Sequence, residues 1–121
     1  MTGASISMKF RDTRRFERSL RRLKKRYPHI TTDLKPVFVS IESNPTLGTV
    51  IPNDFSIRKL RVPSNDMQRG KSGGFRLLYK LISGKESEIN VVLLFIYAKT
   101  NQSDVSTALL EQLNDDIPEN E

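Results

Sequence analysis

Residues 75–97, FRLLYKLISGKESEINVVLLFIY, decide the fold. Two apolar runs, 75–82 and 90–97, flank polar residues around Ser83-Gly84-Lys85, and both are rich in the aromatic and β-branched residues that suit a pleated surface. They predict two antiparallel strands joined by a hairpin. The first run alternates, so Phe75, Leu77 and Tyr79 share one face while Arg76 takes the other. The second, VVLLFIY, is apolar throughout and belongs in the interior of a sheet covered on both sides.

Upstream, residues 57–62 form a third strand in which Leu60 and Val62 alternate with Lys59 and Arg61, so the two bases share a face. Residues 63–74 are a polar, glycine-bearing connection, and residues 44–56, rich in Asn, Pro, Gly and Asp, read as loop. In residues 12–27, Phe16, Leu20, Leu23 and Tyr27 follow the i, i+4, i+7, i+11 spacing of one helical stripe. Ile30, Leu34, Val37, Phe38 and Ile41 resume that spacing beyond Pro28 and end at Asn44-Pro45, which predicts a helical hairpin. Pro36 predicts that the second helix starts near Thr32 or Asp33, or is kinked. Residues 5–10 fit a short first strand. Ser103 or Asp104 is placed to cap a last helix that docks Leu109, Leu110 and Leu113. The expected fold is α+β: an N-terminal helical hairpin packed on a mainly antiparallel sheet of three to four strands, with a short C-terminal helix. One domain over residues 1–114 and a disordered acidic tail over 115–121 complete the expectation.

The length of 121 residues suits one domain. The chain has no cysteine, which excludes disulfides, thiolate metal sites and thiol nucleophiles. No run has the length of a signal-peptide core or a membrane span, so a cytoplasmic protein with no membrane partner is expected. Charge is unevenly placed. Residues 101–121 hold six acids and no base, leaving 20 bases against 8 acids, or +12, in residues 1–100. Such a body favours a polyanion, nucleic acid or an acidic protein surface. Ten of the bases lie within residues 9–26, opposed only by Asp12 and Glu17, and read either as a solvated helix face or as a contact surface.

Specific motifs narrow the chemistry. Gly70-Lys71-Ser72 is not a phosphate-binding P-loop, because position 65 is Asn and a strand follows rather than a helix. His29 is the single histidine, so neither a zinc site nor a paired-histidine ribonuclease is expected, and a plain surface role is expected for His29 itself. What remains is a constellation of bases in and beside the strands: Arg58, Lys59, Arg61, Arg69, Lys71, Arg76, Lys80 and Lys99. Solubility accounts for Lys80. For the others an oligoanion site is the stronger reading, with Gly73-Gly74 leaving room for a nucleic-acid backbone and Tyr79 and Tyr97 as stacking candidates.

Four pieces in order, Asn44-Pro45 to Leu47-Gly48, Ile57 to Val62, Gly70 to Tyr79 and Ile96-Tyr97-Ala98-Lys99, resemble the HigB branch of the RelE/ParE toxin superfamily, over roughly residues 10–113. The resemblance implies the toxin of a type II toxin-antitoxin system: a metal-independent endoribonuclease, or mRNA interferase, that cuts messenger RNA on the ribosome and inhibits translation, with no cofactor. Its implied partners are the ribosome, the messenger and a cognate antitoxin with a helix-turn-helix domain, through which alone it would meet operator DNA. Arg76 stands at the family's phosphate-contacting arginine, Lys59 and Arg61 at paired bases of the preceding strand, and Lys71 and Lys99 at basic positions of the HigB branch. These five are the implied catalytic set. Arg58, Arg69, Gly73, Gly74 and Tyr97 are the RNA-binding candidates. RelE itself has an arginine where this chain has Thr100, and a tyrosine in its last helix where residues 104–113 have none. Two other readings stay open: a ParE-like inhibitor of DNA gyrase acting by protein contact, and a noncatalytic RNA-binding or degenerate toxin.

Overall fold

The computed structural model describes residues 7–52, 55–67, 73–99 and 105–118. In chain order its elements are β1 (Ser7–Asp12), α1 (Arg14–Arg26), α2 (Ile30–Ser43), β2 (Thr49–Val50), β3 (Arg58–Val62), β4 (Phe75–Ser83), β5 (Glu88–Ala98) and α3 (Thr107–Asp115). The strands form one sheet in the order β1-β5-β4-β3-β2. Pairing is antiparallel except between β1 and β5, which run parallel. The α+β class and the helical hairpin on a sheet are as expected. The sheet is larger than expected, with five strands among the described residues rather than three or four, and mixed. β2 lies in a stretch read as loop; at two residues it is too short to alternate and exists only through pairing with Arg58 and Lys59.

Both faces of the sheet are covered, by different helices. On one, Phe16 of α1 and Ile30, Leu34 and Ile41 of α2 pack on Val62, Phe75, Leu77, Tyr79, Val91, Leu93 and Ile96. On the other, Leu110 and Leu113 of α3 pack on Ile57, Leu78, Val92, Leu94 and Tyr97. This double burial is why β5 is apolar at every position from Val91 to Ala98. A bulge makes it fit: Leu78 pairs with Phe95 but Tyr79 pairs with Leu93, so Leu94 is an extra residue on β5. Leu94 and Phe95 both turn to the α3 side, and alternation beyond them sends Ile96 to the hairpin side and Tyr97 to the α3 side.

Thr13 rather than Asp12 sets the start of α1: its hydroxyl accepts from Phe16 N (3.2 Å) and donates to Leu93 O (2.9 Å). Ser19 is buried on the apolar side of α1 for a similar reason. Past the end of β1, its Oγ receives the N–H of Ile96 on β5 (3.2 Å). α2 begins at Ile30, before the start that Pro36 predicts. Pro36 deprives the Thr32 carbonyl of its helical donor, but both residues are exposed, which leaves that carbonyl on the solvent side of the helix. Ser106 caps α3 by accepting from Leu109 N (3.1 Å); the expected caps, Ser103 and Asp104, lie outside the described residues. The body does not end at Asn114. Arg15 Nε donates to Asp116 Oδ2 at 2.7 Å, and Ile117 packs against the α3-side core. Among the described residues no helix is long and apolar enough to cross a membrane.

Candidate nucleic-acid interface

The strand register gathers part of the predicted constellation on the α3 side of the sheet. Arg61 on β3 lies opposite Arg76 on β4, and Arg76 lies opposite Tyr97 on β5, forming a row across three strands. One step along, Lys59, Leu78 and Phe95 make the adjacent row. Arg61 is exposed, whereas Lys59 and Arg76 are half-buried. Lys99, also half-buried, follows β5, and its N–H donates to Gly74 O at 3.0 Å, which brings it to the same end of the sheet.

The Arg76 guanidinium is held by neutral acceptors. Its Nη1 donates to Phe75 O at 3.2 Å and, more weakly, to Gly73 O at 3.5 Å. Among the described residues no carboxylate pairs with it; Glu88, across the hairpin, pairs instead with Lys9 at 3.3 Å. Arg76 therefore presents a positive charge that, among the described residues, is positioned by backbone carbonyls and not by a carboxylate. Like charges at directly opposite strand positions repel, and an anion bound beside the pair would offset that repulsion.

Other predicted residues are placed elsewhere. Arg58 alternates onto the hairpin side with Leu60 and Val62, and its Nη1 donates to the carbonyls of Thr46 (3.2 Å) and Gly48 (2.7 Å). It anchors the 44–48 loop. Tyr79, fully buried, does the same: its hydroxyl accepts from Gly48 N and donates to Pro45 O, both at 2.9 Å. Burial raises the Tyr79 pKa above 10.0, which keeps the phenol protonated for that donation. A side chain at Gly48 would meet the Tyr79 ring at 3.0 Å. Tyr97 is 4% exposed and its ring lies 6.0 Å from that of Phe95, tilted by 33°, so it is a covered member of the row and offers no open face for a base.

Gly74 has φ +88°, and a Cβ there would lie 2.7 Å from Val62 O. This glycine is required by the chain's own β3 terminus, not by space for a ligand. Gly73 is buried and contributes its carbonyl to Arg76. Lys80 is not merely solubilising, since its Nζ bonds Asn114 Oδ1 at 3.0 Å and ties α3 to the sheet. Arg69 and Lys71 lie outside the described residues.

Sequence reasoning missed the fastening of the segment that leads into this region. His29 Nδ1 lies 2.7 Å from Asp66 Oδ1, and the His29 N–H donates to Asp66 Oδ2 at 2.8 Å. Buried Asp33 accepts from Asn65 N (3.1 Å) and Nδ2 (2.6 Å). The His29–Asp66 hydrogen bond raises the His29 pKa and lowers that of Asp66. No local pattern marks partners more than thirty residues apart. No protein-family model matches the chain, and no curated protein matches it either.

Proposed function

We propose that this chain is a RelE/HigB-type toxin, a ribosome-dependent endoribonuclease acting on messenger RNA through the Arg61–Arg76 face. The pairing of Arg61 with Arg76 on adjacent strands carries the proposal. Attack of a ribose 2′-hydroxyl on the adjacent phosphate builds negative charge on a phosphorane. Donors already in position stabilise that charge more than they stabilise the ground state. Arg76, held by backbone carbonyls, and Arg61 opposite it take this role. Lys59 or Lys71 accepts the 2′-proton, and another protonated base, such as Lys99, delivers one to the departing 5′-oxygen. The P–O5′ bond breaks as the 2′-O–P bond forms, leaving a 2′,3′-cyclic phosphate and a 5′-hydroxyl. The ribosome would align the RNA, which lowers the demand for a strong base.

The cytoplasm is the proposed location. The proposed partner that restrains the toxin is a cognate antitoxin carrying a helix-turn-helix domain, which covers the basic surface and carries the complex to operator DNA. The test is purified protein with programmed ribosomes and mapped messenger ends. Cleavage by wild type and its loss in Arg76→Ala support the reading. Intact messenger together with poisoned gyrase would replace it with the ParE-like alternative.

A further inference from the structure

A second charged surface lies along α1, the helix that packs on the other face of the sheet. The apolar stripe of α1, Phe16, Leu20, Leu23 and Tyr27, is turned to the hairpin-side core. Two residues out of phase, Arg14, Arg18, Arg21 and Lys25 repeat the same spacing, which places them about 200° around the helix on the exposed face. Arg22 and Lys24, also exposed, flank this stripe. Among the described residues, no carboxylate forms an ion pair with any of these six; the one Arg–Asp pair of α1 is made by Arg15. Glu17 is the only acid on the helix.

We infer that the exposed face of α1 is a docking surface for the phosphate backbone of double-helical RNA, separate from the Arg61–Arg76 face. Three observations select this occupant. The stripe is rich in arginine, whose planar fork matches phosphate oxygens. It contains no exposed apolar residue, whereas a protein interface needs an apolar centre and a membrane-surface helix needs an apolar face to insert. It also contains no exposed aromatic ring, which single-stranded nucleic acid uses for stacking, so a duplex read by its backbone fits better. The choice of RNA over DNA rests on the ribonuclease reading; the stripe itself does not. Because α1 and α3 cover opposite faces of the sheet, one RNA strand lying on the Arg61–Arg76 row does not also occupy α1. The protein would grip a folded RNA on one side and present its strand face to a second RNA on the other.

The test is fluorescence anisotropy of the full chain with a mixed-sequence synthetic RNA duplex across a salt series. The quadruple variant Arg14→Gln/Arg18→Gln/Arg21→Gln/Lys25→Gln retains α1, since glutamine matches arginine and lysine in helix propensity, and circular dichroism verifies this. It is expected to bind the duplex at least about 30-fold more weakly and to lower the slope of log affinity against log salt by about three. Lys35→Gln/Lys85→Gln, exposed bases elsewhere, should change affinity less than about threefold. An equal loss in both variants would reduce the effect to net charge and overturn the inference. So would binding of polyglutamate, phosphatidylserine vesicles or a DNA duplex of the same sequence as tightly as the RNA. A wild type that binds the duplex through α1 yet never cleaves messenger would sink the proposed function and leave this surface standing. Cleavage without any α1 effect would do the reverse.

Discussion

Arg61 and Arg76 face each other across antiparallel strands β3 and β4, two like charges at one step of the register. Like charges directly opposite each other in a sheet are destabilising, and salt screens their repulsion. A double-mutant cycle of Arg61→Ala and Arg76→Ala, followed by urea unfolding, should therefore give a repulsive coupling that shrinks as salt is added. An attractive coupling would mean that the two side chains are arranged for stability rather than for an anion.

Arg76→Ala should slow messenger cleavage on ribosomes by about 10²-fold or more, the scale on which a transition-state donor is lost. Arg76→Lys should recover part of the rate, because an ammonium keeps the charge without the planar fork. Single-turnover cleavage separates this from a structural role. A variant that melts lower but cuts at the wild-type rate would remove Arg76 from the site.

Tyr79→Phe leaves the buried Gly48 N–H and the Pro45 carbonyl without their partner. A loss of about 1–3 kcal/mol in denaturant unfolding is expected, with a near-normal cleavage rate for the folded fraction. A greater effect on cleavage than on stability would give the phenol a part in catalysis.

The His29–Asp66 clasp sets a pH window. A raised His29 pKa means that its contribution is whole below about pH 6.5 and is lost as pH rises through the raised value. A lowered Asp66 pKa means that its contribution is present above about pH 3.8 and is lost as pH falls through the lowered value. The stability difference between wild type and Asp66→Asn should therefore peak between these limits and fade toward alkaline pH. The imidazole of the only histidine should titrate by NMR above 6.5 in wild type and nearer 6.5 in Asp66→Asn. A midpoint that the substitution does not move would mean the pair is not formed in solution.

Periodicity determined much of this protein. The stripe from Phe16 to Tyr27 made α1, the alternation in β3 and β4 set Lys59, Arg61 and Arg76 against the apolar positions, and the unbroken VVLLFIY required cover on both faces. These are local signals, since a helix repeats every 3.6 residues and a strand every two. Tertiary structure decided the rest. A single extra residue, Leu94, turns Tyr97 toward Arg76; without that bulge, alternation would send it to the hairpin side, because a one-residue slip exchanges the faces of every residue that follows. Arg58 is as basic as Lys59, yet it faces the other way and binds the carbonyls of Thr46 and Gly48. His29 and Asp33 meet Asp66 and Asn65 across more than thirty residues. Composition identifies a base, but only the folded register determines which bases share a surface, because that depends on partners brought together by the packing of elements distant in the chain.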